Sequence, residues 1–261
     1  KLIMRLMKRI LSAAAVLALS ASLLVGCSSG TASSVPVSAS SAAESTVSSV
    51  EETASSAVDE NEAAAAQLLN DLTGSYQELW PVILADEYKQ TWLDDCTALV
   101  GEDNAEAAFE KLSSMVTGDV YGEDAVKAYA NGGGAYFCGF TNSLATLTFD
   151  GETSTISGTD KDGNVLFSHT YHYIGMEPVH GLYEFESDDA DSGEFTYFFL
   201  APDTSAETYH IEFRYGSDAE ALSQYDAGEY AYWVASGIST DCDQTMIDNC
   251  IELFCTENLA G

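Results

Sequence analysis

From Tyr136 to Tyr215 the apolar residues of this chain recur with period two, and that pattern decides the fold class. Tyr136 to Thr141, Leu144 to Phe149, Thr153 to Ser157, Val165 to Ile174, Leu182 to Ser187, Phe195 to Leu200 and Tyr209 to Tyr215 read as strands, with Asp150-Gly151 and Asp162-Gly163 marking turns. The gaps have hairpin length, so consecutive strands are antiparallel. Six or seven such strands leave two bare edges unless the sheet closes, and a small closed barrel removes them. The chain on either side has helical spacing. Ala65, Leu68, Leu69, Leu72 and Tyr76 recur at three- and four-residue steps, and Pro81 can open a second helix. Trp92 to Cys96, Ala105 to Met115 and Glu123 to Tyr129 follow, and Ala219 to Tyr225 and Gln244 to Phe254 lie after the strands. The expected fold is mostly β with added helices: an antiparallel β-barrel flanked by N-terminal and C-terminal helices.

The first 61 residues do not belong to that fold. Arg5, Lys8 and Arg9 precede an apolar run from Ile10 to Val25 that is short for a membrane span of ~20 residues. Residues 1–26 read as a signal peptide. Leu24-Val25-Gly26-Cys27 looks like a bacterial lipobox, which implies cleavage before Cys27, lipidation of its thiol and amine, and a protein anchored by acyl chains on the extracytoplasmic face of the cell membrane. Residues 27–61, rich in Ser, Ala, Thr, Val and Glu, lack the apolar content to bury a core and read as a tether. The barrel domain spans 62–261.

Charge excludes one class of partner. Residues 1–26 hold four of the nine basic residues and none of the 42 acidic ones, so the remainder carries a net charge of −37. Nucleic-acid binding needs clustered Lys and Arg, and none is present. A field of this sign favours cations. Five cysteines follow Cys27: Cys96, Cys138, Cys242, Cys250 and Cys255. They form no C-x-x-C pair, and their pairing is open, because two bridges among five cysteines allow fifteen arrangements. Gly132-Gly133-Gly134 lacks the Lys-Ser/Thr of a phosphate loop. Asp160-Lys161-Asp162-Gly163-Asn164 begins like a calcium loop, but Val165 stands at the sixth position and Tyr171 at the twelfth. No hydrolase signature is present, and an enzyme is not expected.

All four histidines, His169, His172, His180 and His210, fall in the strand region. In the last strand the alternation puts Thr208, His210, Glu212 and Arg214 on one face and Tyr209, Ile211, Phe213 and Tyr215 on the other. His210 and Glu212 thus present an imidazole and a carboxylate side by side, a donor pair suited to zinc. The same spacing also fits a hydrogen-bonded His–Glu–Arg row on a solvated face. His172 and His180 are further candidate donors. By pattern His172 faces with Ser168 and Thr170, while His180, near a turn, is expected to be exposed.

The arrangement resembles the ZinT/YodA family of extracytoplasmic metal-binding proteins, whose domain also forms the C-terminal part of AdcA-type zinc-uptake lipoproteins. The resemblance runs through Leu79-Trp80-Pro81, the strand Phe167 to Gly175, Tyr183-Glu184-Phe185-Glu186, His210-Ile211-Glu212-Phe213-Arg214-Tyr215-Gly216, and Tyr230-Ala231-Tyr232-Trp233 with Ser236-Gly237-Ile238. It implies a calycin-like (lipocalin-like) barrel that binds zinc (or cadmium) and delivers zinc toward an uptake system such as a zinc ABC transporter. The family's H-F-H pair, anchored on Arg214-Tyr215-Gly216, falls on His210 and Glu212. A register shifted by two would place it on Thr208 and His210. The family's third histidine precedes an Ala-Pro pair, but here Leu200 precedes Ala201-Pro202, and a histidine-rich N-terminal segment is missing. The expected function is lipid-anchored binding of a divalent metal, zinc, at His210 and Glu212. The alternative is a barrel that has lost its metal and binds a small ligand or a partner protein.

Overall fold

A computed structural model describes residues 60–203 and 205–260. Cys27, the signal peptide and most of the Ser/Ala-rich segment lie outside these residues. Eight strands follow in chain order: β1 (Gly74–Glu78), β2 (Thr146–Asp150), β3 (Thr155–Thr159), β4 (Val165–Met176), β5 (Tyr183–Ser187), β6 (Tyr197–Leu200), β7 (Ile211–Gly216) and β8 (Ala235–Ser239). Each pairs antiparallel with the next, and β8 closes onto β1 through Tyr76↔Ser239, Gln77↔Ile238 and Glu78↔Gly237. The expected antiparallel, calycin-like barrel with N- and C-terminal helices is therefore the fold of this chain.

Register assigns the two faces of the sheet. Tyr76 lies opposite Leu147, Leu147 opposite Gly158, and Gly158 opposite Phe167. On the far wall Tyr173 faces Phe185, Phe185 faces Phe198, and Phe198 faces Tyr215. Most residues of this set are buried, on strands all around the closed sheet, so it fills the barrel interior. The filling is aromatic: Phe167 stacks on Phe195 at 4.0 Å, and Tyr171 and Tyr215 each lie 5.4 Å from Phe198. Close packing leaves no room beside Gly158, where an added Cβ would fall 2.4 Å from Leu144 and from Phe167.

A helix over residues 60–71 precedes β1, and helices Leu79–Ile83, Lys89–Val100, Glu102–Val116 and Glu123–Ala130 lie between β1 and β2. The C-terminal helix Gln244–Leu259 is capped by Asp243, whose side chain accepts from the Met246 N–H. It packs on the Lys89–Val100 helix, and its Phe254 meets the rings of Trp80 (4.7 Å) and Trp92 (5.9 Å). No helix among the described residues is long and apolar enough to cross a membrane.

Three elements differ from the sequence expectation. Tyr76 extends the helical spacing of Leu68 and Leu72, yet it belongs to β1. Gly74 (φ 145°) takes a backbone conformation that side chains resist, which ends the helix and turns Tyr76 inward against Phe149 at 5.8 Å. Tyr136 to Thr141 forms no strand. Its alternation is real burial, with Tyr136, Cys138 and Phe140 inside, but it makes only isolated bridges, to Thr117 and Trp233, beside which Val234 and Ser236 donate to the Phe137 and Cys138 carbonyls. The eighth strand is Ala235-Ser236-Gly237-Ile238-Ser239, whose small residues carry little strand propensity. Its pairing with β7 and β1 makes it a strand.

Candidate metal centre

The interior face of β7 carries Ile211, Phe213 and Tyr215, and the outer face carries Glu212 and Arg214. Along β4 the outer face is open to solvent at Ser168, Thr170 and His172. Along β7 it is covered. Arg214 is fully buried and donates to the carbonyls of Leu222 and Tyr230, and its guanidinium stands 4.1 Å from the centroid of the Tyr225 ring. The row is therefore not a solvated one. The chain between β7 and β8 folds back over it because a buried guanidinium must find acceptors, and backbone carbonyls supply them.

His210 sits just before this strand and not on it. The helix Ser205–Thr208 ends at Thr208, and Tyr209 (φ 65°) reverses the backbone direction, so β7 begins at Ile211. The four-residue alternation expected for Thr208, His210, Glu212 and Arg214 thus holds only for Glu212 and Arg214. Local hydrogen bonds replace it. The Thr208 hydroxyl donates to the His210 carbonyl (2.7 Å), and His210 Nδ1 donates to the Thr208 carbonyl (2.6 Å). That second bond fixes the ring and leaves Nε2 3.2 Å from Glu212 Oε1. Cys250 Sγ, on the C-terminal helix, approaches Nδ1 at 4.0 Å.

Both side chains are nearly buried, at 13% and 8% exposure. Burial is the largest influence on the His210 ring and disfavours its charge. Hydrogen bonds and charge interactions with Cys250 and Glu212 outweigh it together and hold the imidazolium well above the usual histidine range. Beside the pair is a recess of about 10 Å³, lined by Ala201, Asp203, Thr208, His210 and Glu212. That is room for about one water-sized sphere. Two ligand atoms on a tetrahedral zinc, each ~2.0–2.1 Å from it, stand ~3.3 Å apart. The 3.2 Å between His210 Nε2 and Glu212 Oε1 matches that edge. The pair fits zinc as two donors. Among the described residues no group of three or more His, Cys, Asp or Glu side chains is assembled to hold a metal.

The other histidines are engaged elsewhere. His172 is half exposed on the outer face of β4, with Nδ1 2.7 Å from Asp188 Oδ1 and Nε2 3.9 Å from Glu186 Oε2. His169 contacts Asp189 at 2.7 Å. His180, expected to be exposed at its turn, has a buried side chain whose ring lies 3.9 Å from that of Tyr225, tilted by 54°, next to the buried Glu177 carboxylate at 3.3 Å. Glu177 is a local partner, but Tyr225 comes from the distant loop between β7 and β8, which local sequence does not reveal. Two residues beside His210 also escaped the sequence reading. Asp203 follows Ala201-Pro202 directly, where the missing family histidine would fall one position before that pair. Cys250 lies forty residues from His210 and carries no local signal.

Among solved structures the chain is similar to the Zn(II)-bound ZinT-like domain of Streptococcus pneumoniae AdcA, at 16% identity and a TM-score of 0.45, over 71% of this chain and 89% of that one. It is also similar to Zn(II)-bound AdcA from Streptococcus pneumoniae, at 14% identity and a TM-score of 0.42, over 70% of this chain and 34% of that one. No family model matches the chain, and no curated protein matches it.

Proposed function

We propose that this chain is a lipid-anchored, extracytoplasmic zinc-binding protein that holds its ion at His210 and Glu212 and serves zinc acquisition, in the manner of a donor to an uptake transporter. The observation that carries the reading is the 3.2 Å approach of His210 Nε2 to Glu212 Oε1, beside a recess of single-ion size. Asp203 lines the recess but is not assembled with the pair, so it would have to turn inward to act as a third donor, and waters would fill the remaining positions. Zinc is cargo here, and no catalytic role is assigned to it.

The chain's own contribution is to present Nε2. The bond from Nδ1–H to the Thr208 carbonyl fixes the tautomer, as a histidine ligand's second nitrogen commonly does. Without metal, a proton on Nε2 bridges to Glu212. With metal, that proton leaves and Nε2 and the carboxylate turn to the ion, so affinity falls on acidification. The anchor rests on Leu24-Val25-Gly26-Cys27.

The test is calorimetric titration with zinc at ~0.15 M salt in the presence of magnesium, which occupies weak acidic sites on a surface this negative. Wild type is expected to bind one zinc, and His210→Ala is expected to lose at least tenfold in affinity. Equal binding by the two proteins overturns the assignment. A second reading, a metal-free barrel holding a small apolar ligand, draws on one observation. A cavity of about 310 Å³ is lined by Trp80, Leu84, Val116, Phe137 and Cys138, among others. It gains ground if zinc fails to bind.

A further inference from the structure

Cys96 lies on the Lys89–Val100 helix and Cys255 on the C-terminal helix, at the contact between the two. Both residues are fully buried, and their sulfurs stand 3.9 Å apart. A disulfide has its sulfurs at ~2.05 Å, so closing the gap takes about 0.9 Å from each side chain, within the range of a small χ1 rotation. Of the three remaining described cysteines, Cys250 faces His210, Cys242 is only half-buried and has Cys250 among its charge neighbours, and Cys138 is fully buried beside the Trp80 and Ser236 side chains.

We infer that Cys96 and Cys255 are an oxidisable pair that becomes a disulfide as the chain folds in an oxidising compartment, tying the N-terminal helices to the C-terminal helix around the whole barrel. The inference rests on this contact and on the extracytoplasmic part of the proposed function, and is independent of the metal reading. The chemistry is thiol–disulfide exchange with a small disulfide such as oxidised glutathione. One protein thiolate attacks it and expels a glutathione thiolate, which takes up a proton. The second protein thiol then loses its proton and displaces the other glutathione. Two protein thiols give up two electrons, and one glutathione disulfide becomes two thiols.

Timing follows from burial. Desolvation pushes both thiols above their ordinary range, so neither is a good nucleophile once packed. The bond therefore forms during folding, while the sulfurs are still accessible. Once formed it is shielded from reductants by the same packing. It closes a span of 159 residues, which restricts the unfolded chain severely.

The experiment uses the full chain, unfolded and reduced, then refolded in a reduced/oxidised glutathione mixture. The product is denatured and alkylated with iodoacetamide, with and without prior reduction. The expected result is two fewer alkylated cysteines without reduction, one linked peptide pair joining Cys96 to Cys255, and a thermal midpoint about 10 °C above that of the same protein refolded under reductant. Cys255→Ala is expected to lose the linked peptide and the difference in midpoint, while Cys242→Ser keeps both. Full alkylation without reduction, or a linked peptide joining a different pair, overturns the inference. Wild type alone decides this if the variant fails to fold.

Discussion

The Arg214 guanidinium lies 4.1 Å from the centroid of the Tyr225 ring, and this pair seals the outer face of β7 on which Glu212 also sits. Arg214 spends its donors on the carbonyls of Leu222 and Tyr230 in the segment that returns to β8. A lysine cannot span two carbonyls and stack on a ring at once. Arg214→Lys is expected to destabilise the fold by about 2–3 kcal/mol, and Arg214→Met by about 3–5 kcal/mol, because each leaves buried carbonyls without donors. Urea denaturation of the three proteins measures the difference. Loss of less than ~1 kcal/mol in Arg214→Met would mean that the segment is held by something else.

The turn between β4 and β5 is held by a buried carboxylate and should therefore respond to acid. Burial, the largest influence on Glu177, favours its neutral form. The His180 side chain and the N–H groups of Val179 (2.8 Å) and His180 (2.6 Å) together outweigh it and lower its pKa below the ordinary 4.5. A carboxyl that binds its proton less tightly when folded stabilises the native state above its unfolded pKa. That contribution is lost as pH falls from about 4.5 through the lower folded value. Glu177→Gln should cost about 1–2 kcal/mol at neutral pH and flatten the decline of stability below pH ~4.5. Identical acid limbs for wild type and variant would remove Glu177 from the account.

Legibility in the sequence followed the range of the interactions involved. The interior row was readable because its alternation at Phe167, Tyr171, Phe198, Phe213 and Tyr215 is local to each strand. β8 was not, because Ala235-Ser236-Gly237-Ile238-Ser239 becomes a strand only between β7 and β1. The adjacency of His210 and Glu212 was foreseen, though for an incomplete reason. A continuous strand would bring them together by alternation, whereas here the Tyr209 reversal and the Thr208 hydrogen bonds place the ring. The burial of Arg214 and His180 depends on a loop up to forty-five residues downstream of the side chain it covers, and no periodicity encodes that.

Gly158 offers a test of how tightly the barrel is filled. A methyl group there would overlap Leu144 and Phe167 at 2.4 Å each. Leu144 and Phe167 are both buried, so neither yields without disturbing its neighbours. Gly158→Ala is expected to lower stability by about 1–3 kcal/mol, in spite of the usual entropic advantage of alanine. Thermal unfolding gives the sign directly. A raised midpoint would show that the interior is looser than its packing implies.

The metal reading makes a prediction about protons that an acidic surface cannot imitate. Burial opposes the charge of His210, but its contacts with Cys250 and Glu212 together raise its pKa on folding well above the ordinary 6.5, so those contacts add stability that is complete below that value. The contribution is lost as pH rises toward the folded pKa, because the unfolded histidine has already given up its proton there. Zinc needs the neutral ring at Nε2 and must displace that proton. Binding near neutral pH is therefore expected to release about one proton per zinc, read from calorimetry in buffers of different ionisation enthalpy. Glu212→Gln removes the carboxylate that both holds the proton and binds the ion. It should lower the proton release and weaken zinc by about tenfold to a hundredfold. Zinc bound diffusely by surface carboxylates would release almost no protons near neutral pH, since those groups are already ionised. A titration that shows tight zinc binding without proton release places the ion away from His210.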